Sequence, residues 1–415
     1  MITEVDLFDP AFNANPHPTY RRLRSEAPVC RVPLPDRREA WLITRYDDVL
    51  SVLRDQRRFS TRAMLSQTGE LPALSPGARN VMSLFDLFMS SNDPPDHTRL
   101  RTLVQRAFTP RLLGSLRPYI ENLANELLDA VEKRAVETGE PAMDLIADFA
   151  FPLPVTVIMR LLGIPLRDRD NLRRWSNALV KFDRSPHSAE ALAPEVGEFI
   201  DYVRALLGSK RSDPRDDLLT ALVSQGGDGS LTELELVSMT FGLVFSGHET
   251  TTHLVGNGML SLLDHPAELA KLGANPSLIP HAVEELLRYD GPVEVRRRLA
   301  TTDVTLDGVP ISRGSLVLLS VAAANRDPAH FPHPEDLDIA RLENPHLAFG
   351  RGIHACLGAS LARLEAEIAV TTLLRRMPGL ALAVPREKLD WRPSGLHLRG
   401  LKALPLRFSA NVPAA

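Results

Sequence analysis

One cysteine in a glycine-rich turn constrains this chain more than any other feature. Cys356 lies in the segment Phe349-Gly350-Arg351-Gly352-Ile353-His354-Ala355-Cys356-Leu357-Gly358. Glycine permits backbone angles that a β-carbon forbids, so such a turn leaves the sulfur with little steric cover. Directly behind it, apolar residues near helical spacing predict an amphipathic helix over 359–376. The start of that helix would favour a thiolate, which can serve as a metal ligand or as a nucleophile.

The spacing of the residues around Cys356 narrows the choice. The pattern Phe-x-x-Gly-x-His-x-Cys-x-Gly, at positions 349, 352, 354, 356 and 358, resembles the haem-binding loop of the cytochrome P-450 superfamily. The resemblance implies that the Cys356 thiolate is the axial ligand of a haem iron, where it favours O–O cleavage. Two other interpretations stay open: a buried structural cysteine in a helix-capping turn, and a cysteine nucleophile activated by His354.

The composition excludes several classes of function. Hydrophobic residues make up 44% of 415 residues, enough for a large core, and no linker-like stretch divides the chain. We therefore expect a single catalytic domain over 1–415 without a fused reductase domain. The net charge of −4 argues against a nucleic-acid partner held by counterion release. With no leader-like start, no apolar run of about 18 residues and only two cysteines, we expect a cytoplasmic protein outside the membrane.

The order of the predicted elements favours one fold class. Helical patterns dominate residues 99–289. Strand-like runs occur at 40–44, at 295–320 around an Asp307-Gly308 turn, at 380–384 and at 404–408. Helices in the middle with strands gathered at both ends predict an α+β fold that is predominantly α. The resemblance implies the cytochrome P-450 fold, a single large helical domain with small antiparallel sheets.

A second motif lies in a long helical pattern that opens with a predicted capping box at 230–233 and closes before Pro266. Burying Glu249 and the three threonines that follow it in an apolar helix costs free energy unless these polar groups find partners. Gly247 and threonine back-bonding predict a loosened helix at this point, and a purely structural kink is one interpretation of the motif.

The same segment resembles the oxygen-activating helix of the superfamily. The resemblance implies two catalytic residues: Glu249, which relays protons from solvent, and Thr250, which donates a hydrogen bond at the oxygen site. Ser246 departs from the usual alanine or glycine and would add a hydroxyl near that site.

Glu285 and Arg288 form a third motif, because residues three apart share one helical face and can pair. On an ordinary helix this is a solvated ion pair worth less than about 1 kcal/mol. The resemblance implies instead that both meet Arg341 and lock the haem side of the core without taking part in catalysis.

The two propionates of a haem need cations or hydrogen-bond donors. The resemblance assigns them to His97, Arg101, Arg298 and His354; together with Phe349, Cys356 and Gly358 these make up the predicted cofactor-binding set. A surface cation or a helix N-terminal histidine is the alternative for each. Arg296 and Arg297 flank Arg298, so the assignment can shift within the triplet, and strand alternation would place Arg296 and Arg298 on the same face.

The predicted substrate pocket is mostly apolar, which favours a hydrophobic substrate. By resemblance its lining includes Phe85, Leu87, Phe241, Val244, Val293, Val295 and Leu396. Ordinary core packing is the alternative for each of these side chains.

The resemblance as a whole implies a haem-thiolate monooxygenase that carries haem b. It would insert one atom of O2 into a hydrophobic small molecule by hydroxylation or epoxidation, with secondary-metabolite tailoring as one such role. Electrons would come from a separate ferredoxin and ferredoxin reductase. Alternatives are a non-catalytic haem-binding recruitment or sensor protein, a cysteine-dependent hydrolase or transferase, and a peroxide-driven member of the superfamily. The Glu249-Thr250 pair speaks against the first and the last.

Overall fold

A computed structural model of the chain describes residues 5–35, 38–62, 74–108, 110–179, 182, 185–226, 230–392 and 398–409. The described helices are α1 (Pro10–Ala14), α2 (His17–Glu26), α3 (Tyr46–Arg54), α4 (Pro76–Asp86), α5 (Asp96–Ala107), α6 (Pro110–Thr138), α7 (Pro152–Leu162), α8 (Arg169–Leu179), α9 (Pro186–Ser212), α10 (Leu218–Val223), α11 (Glu233–Asp264), α12 (Pro266–Ala274), α13 (Ile279–Asp290), α14 (Val321–Ala324) and α15 (Ala359–Arg376). The strands are β1 (Val29–Pro33), β2 (Glu39–Ile43), β3 (Phe59–Ser60), β4 (Ala142–Asp144), β5 (Val295–Ala300), β6 (Val304–Leu306), β7 (Val309–Ile311), β8 (Leu316–Ser320), β9 (Ala381–Leu382) and β10 (Pro405–Arg407).

The chain divides into two compact units. Unit 1 comprises Met1–Phe59, Arg117–Pro154 and Glu249–Ala415, and unit 2 comprises Ser60–Leu116 and Val155–His248. The expectation of a single catalytic domain over 1–415 stays a prediction. None of the described helices is long and apolar enough to cross a membrane.

Unit 1 contains the sheets. The largest has the strand order β1-β2-β8-β5-β3, a second has β4-β10-β9, and β6 pairs with β7. The predicted Asp307-Gly308 turn joins β6 to β7, with both residues at positive φ. On β8, Val317 and Leu319 pack into one hydrophobic cluster and Leu318 into another, so the largest sheet is covered on both faces.

The predominantly α, α+β fold class is confirmed, with one departure in the sheets. Strands β2 and β8 pair in parallel, with Leu42 opposite Leu318, whereas antiparallel pairing was expected throughout. Close neighbours in sequence can form antiparallel hairpins, but about 270 residues of chain separate these two strands and leave either direction open. β1, β3 and β4 were not predicted from the sequence.

Unit 2 is formed mainly by helices. α4 packs on α9, where an added β-carbon at Gly77 would lie 2.8 Å from Ala193 Cβ. Aromatic rings fill the interior. The ring centre of Phe241 lies 4.8 Å from that of Phe85 and 6.0 Å from that of Phe199. The ring centres of Trp175 and Phe199 are 5.5 Å apart.

Candidate active site

The loop that carries Cys356 is shaped by two glycines with positive φ, Gly350 and Gly352. An added β-carbon at Gly352 would lie 2.6 Å from the carbonyl oxygen of Leu53, at the end of α3. The loop closes on itself where the backbone N–H of Cys356 donates to the carbonyl of Phe349 (2.8 Å). Glycine is therefore required at 352 both by its backbone angle and by the close approach of α3.

Cys356 is exposed, and α15 begins three residues later at Ala359, with Gly358 as its N-cap. This helix spans 359–376, as the sequence predicts. The other cysteine, Cys30, is half-buried on β1, where burial raises the pKa of its thiol to about 11 and keeps it protonated. Neither cysteine forms a disulfide. The exposure of Cys356 is incompatible with the interpretation of a buried structural cysteine.

A group of three polar residues anchors the cysteine loop to two helices. Glu284 on α13 accepts hydrogen bonds from Arg363 on α15 (2.6 and 2.8 Å) and lies 3.2 Å from the Nε2 atom of His346, just before the loop. The Arg363 guanidinium lies 4.5 Å from the centre of the Phe349 ring. Burial would raise the pKa of Glu284, but the hydrogen bonds from Arg363 and His346 outweigh it and hold this pKa at about 2.

The structure brings Glu285, Arg288 and Arg341 together in the core of unit 1. Arg288 donates two hydrogen bonds to Glu285 (2.7 and 2.8 Å), and Arg341 donates a third at 3.1 Å. The Glu285–Arg288 pair is fully buried. Arg288 also donates to the backbone carbonyls of Asn325 and Asp336, so its charge binds the segment that leads to the cysteine loop. A buried pair with these extra hydrogen bonds fixes geometry more than it adds net stability.

Glu249 lies on α11 and is 1% exposed. Its Oε2 atom lies 3.3 Å from Arg392 Nη1 and 3.5 Å from His253 Nε2, one turn along the helix. The Arg392 side chain is 27% exposed, so the carboxylate pairs with a cation that reaches solvent. Thr250 is half-buried beside it. Sequence reasoning missed Arg392 and His253: only the fold brings residue 392 to Glu249, and the i, i+4 spacing was the available signal for His253.

The helix around Glu249 differs from the sequence expectations in three details. α11 is α-helical without interruption, so Gly247 does not loosen it. Gly247 instead provides room for Ile158, because an added β-carbon would lie 2.9 Å from Ile158 Cδ1. The Ser246 hydroxyl donates to the carbonyl of Gly242 in its own helix. The capping box is formed by Thr232 and Glu235, two residues after the predicted one.

A second buried acid, Glu365, lies on α15 and is 1% exposed. Thr251 of α11 donates a hydrogen bond to it, yet burial dominates and raises the pKa of Glu365 to about 8. Its Oε2 atom has no hydrogen-bond partner among the described residues. The burial of Glu365 could have been predicted from the sequence, because Glu365 falls on the same helical face as Leu361 and Ile368.

The predicted cofactor residues of unit 1 lie on two elements. Arg298 is buried on β5, where it donates to the backbone carbonyl of Arg297 (2.8 Å). Arg297 is exposed and Arg296 half-buried, as strand alternation predicts. His354 ends the short helical turn Gly352–His354 and is half-buried.

The predicted cofactor residues of unit 2 are on α5. His97 is buried in its first turn. Burial lowers the pKa of His97, and the positive charge of Arg101, four residues on, lowers it further. Residues four apart lie on the same helical face, so the His97 and Arg101 side chains share one face of α5. Their role towards a haem stays a prediction.

The predicted pocket residues fall in both units. In unit 2, Phe85 and Leu87 are half-buried, while Phe241 and Val244 line a small cavity with Trp175 and Leu179. In unit 1, Val293 is buried and Val295 belongs to a core cluster, a placement that core packing by itself explains. Leu396 lies outside the described residues.

The residues of unit 1 fit a thiolate-ligated haem. Within the described ranges no three His, Cys, Asp or Glu side chains gather in a way that could hold a bare metal ion. A porphyrin supplies four nitrogen ligands itself, so one exposed thiolate such as Cys356 is sufficient on the protein side. Arg298 and His354 provide donors of the kind that its carboxylates require. The fold and this site fit the class of haem proteins.

Comparisons with known proteins agree. A profile of the Cytochrome P450 family matches residues 273–378. Cytochrome P450 monooxygenase PikC of Streptomyces venezuelae is 45% identical over 400 residues, 96% of this chain and 92% of PikC. The 6-deoxyerythronolide B hydroxylase of Saccharopolyspora erythraea is 39% identical over 413 residues, 98% of this chain and all of the hydroxylase. The solved structure of the bacillaene polyketide synthase cytochrome P450 PksS from Bacillus subtilis has a TM-score of 0.88 at 42% identity and covers 98% of this chain and 100% of that one.

The chain belongs to the cytochrome P450 family. Its enzyme class is that of the P450 monooxygenases, which carry a haem, and the family resemblance seen in the sequence is confirmed. A cysteine-dependent hydrolase or transferase is thereby excluded.

Proposed function

We propose that this enzyme inserts one atom of O2 into a hydrophobic small molecule of secondary metabolism, by hydroxylation or epoxidation. Its cofactor is haem b, with Cys356 as the axial ligand of the iron. A separate ferredoxin and ferredoxin reductase supply the electrons, and the protein works in the cytoplasm. Relatives named for a polyketide synthase and for 6-deoxyerythronolide B hydroxylation support this class of substrate.

The observation that carries the proposal is the exposure of Cys356 on an anchored loop. Glu284 and Arg363 hold the loop through hydrogen bonds, and Gly352 seats it against α3. Preorganisation of this kind presents the sulfur to a planar cofactor without further folding. When bound, a thiolate-ligated haem supplies the oxygen chemistry.

Glu249 and Thr250 hold and transfer protons in this proposal. Arg392 pairs with the buried Glu249 carboxylate and reaches solvent, so the two together provide a polar route into the middle of α11. When the Arg392 side chain swings outward, water can reach the carboxylate and protonate it. Thr250, the next residue on the helix, donates a hydrogen bond at the oxygen site, and Glu249 releases towards that site the proton it has taken up.

A binding-only role in recruitment or sensing is less consistent with this region. Burying the Glu249 carboxylate costs free energy, and the fold offsets this cost with Arg392 and with His253. A protein that merely holds haem gains nothing from such an arrangement, whereas a proton-relaying enzyme requires it.

The test compares two cysteine variants of the haem-loaded protein. The carbon monoxide difference spectrum of a thiolate-ligated haem should be present in the wild type and in Cys30→Ser, and absent in Cys356→Ser. Hydrophobic polyketides should shift the iron towards high spin and be oxygenated when ferredoxin and its reductase are added. If the wild type lacks the thiolate spectrum despite ample haem supply, the proposal fails. Bound haem with no product from any substrate or electron donor would favour the recruitment role.

A further inference from the structure

An ion pair between α13 and α15 lies beside the cysteine loop. The Nε and Nη2 atoms of Arg363 donate to the two carboxylate oxygens of Glu284 at 2.6 and 2.8 Å. Two parallel hydrogen bonds of this kind fix the orientation of the guanidinium as well as its position. His346 Nε2 lies 3.2 Å from the same carboxylate, and His346 Nδ1 accepts a hydrogen bond from the backbone N–H of Ala348 (3.2 Å). The pair is thus tied to the segment that enters the loop.

The pair reaches the cysteine through Phe349, the first residue of the loop. The Arg363 guanidinium lies 4.5 Å from the centre of the Phe349 ring, so the positive end of the pair faces the loop. The Phe349 carbonyl in turn accepts a hydrogen bond from the backbone N–H of Cys356 at 2.8 Å. The hydrogen bond to Glu284 raises the pKa of Arg363, and the negative charge of Cys356 raises it further. One residue therefore links an oriented cation to the sulfur.

The effect of such a cation on a redox centre follows from electrostatics. Reduction of a thiolate-ligated centre adds one negative charge, so a nearby cation stabilises the reduced form and a nearby anion destabilises it. The side chains of Arg363 and Glu284 are 37% and 28% exposed. Solvent and salt therefore weaken both effects without abolishing them. Because the two charges oppose each other, changing one of them alone should reveal its sign.

We propose that the Glu284–Arg363 pair sets the reduction potential of the haem-thiolate centre: Arg363 raises the potential, and Glu284 limits that rise while holding the guanidinium against Phe349. The inference rests on the proposed function, in which Cys356 is the axial ligand. Both are positioning residues, because they act on the ligand through the loop. The consequence for the enzyme is that a ferredoxin of given potential delivers the first electron more readily when Arg363 is in place.

The experiment is an equilibrium redox titration of the haem-loaded protein, followed by its absorbance without substrate or ferredoxin. All variants are compared at the midpoint potential of the wild type, where ferrous and ferric haem are equally populated. Arg363→Gln should lower the ratio of ferrous to ferric haem about tenfold, which corresponds to about 59 mV for a one-electron couple. Glu284→Gln should raise this ratio about threefold, because it removes the negative charge and leaves the positive one.

Two further variants test whether position and charge are responsible. Arg376 lies on the same helix and pairs with Glu132 at 2.6 Å, but it is about 20 Å further along α15. Arg376→Gln is therefore the matched control and should leave the ratio as in the wild type. Arg363→Lys keeps the charge without the planar fork and should restore most of the wild-type ratio.

Opposite shifts separate an effect of charge from a loosened loop, because a structural disturbance would move both variants in the same direction. The inference is overturned if Arg363→Gln and Glu284→Gln shift the ratio in the same direction, or if neither differs from Arg376→Gln. If Arg363→Gln does not bind haem, Glu284→Gln decides: a raised ratio supports the inference, and an unchanged or lowered ratio overturns it. A wild-type protein without the thiolate-haem spectrum would instead contradict the proposed function, so the two failures are distinguishable.

Discussion

Two buried carboxylates in unit 1 show how the fold sets the state of one side-chain type. Glu249 and Glu365 are each 1% exposed and each lie on a long helix. Glu249 has Arg392 at 3.3 Å and forms an ion pair. Glu365 has a hydrogen bond from Thr251 and no ion pair among the described residues, and burial raises its pKa to about 8. Glu249 thus has a cationic partner, whereas burial without one favours the neutral form of Glu365.

The largest expected effect comes from Glu365. Its pKa is raised from 4.5 to about 8 on folding, so the folded protein binds a proton that the unfolded chain releases in this range. Stability from this group is full below about pH 4.5 and falls by up to about 1.4 kcal/mol per pH unit until the pKa of about 8 is passed. Glu365→Gln should make that fall shallower, as measured by denaturant unfolding across this pH range.

The exposed Glu121→Gln on α6 is the control for this change and should keep the pH dependence of the wild type. Parallel stability curves for Glu365→Gln and the wild type would show that Glu365 is ionised in the folded protein, and the contrast with Glu249 would disappear.

Glu249→Gln should have the next largest effect. A carboxamide cannot relay protons, so product formation should fall by about 100-fold, the range of general acid–base catalysis. Substrate binding, measured by the shift of the Soret band, should stay as in the wild type. Glu121→Gln again serves as the control. A variant that keeps wild-type turnover would remove Glu249 from the proton route.

Removal of the cation should destabilise the protein by a smaller amount. Arg392→Gln removes the cation that pairs with the buried Glu249 carboxylate, and we expect a loss of about 2 kcal/mol, below the usual value for buried pairs because Arg392 is partly exposed. In the double variant with Glu249→Gln, part of this loss should be recovered. A double variant as unstable as the sum of both single variants would show that the two side chains are not coupled.

The smallest effect is expected at Gly400. A β-carbon there would clash with the Nδ1 side of the His253 ring and displace it from Glu249. Gly400→Ala should lower stability by about 1 kcal/mol and also reduce turnover. Gly273→Ala in α12 is the control, because no heavy atom lies within 4 Å of its added β-carbon. If both alanine variants have the same stability and turnover, the position of the His253 ring does not affect function.

Local patterns in the sequence determined much of the site. The spacing at 349–358 and the apolar periodicity behind it predicted the exposed cysteine and the bounds of α15, since turn and helix preferences act over a few residues. The Asp307-Gly308 turn was predicted for the same reason. The i, i+3 spacing brought Glu285 and Arg288 together, although their complete burial could not be read from it.

The partners of these groups depend on how distant segments pack. Arg392 reaches Glu249 across more than a hundred residues of chain, and no local pattern indicates such a contact. The parallel pairing of β2 with β8 depends on the packing of distant segments as well. Residue types and short-range spacing identify the side chains that are capable of chemistry. Their charge states depend on burial, which is a property of the whole fold.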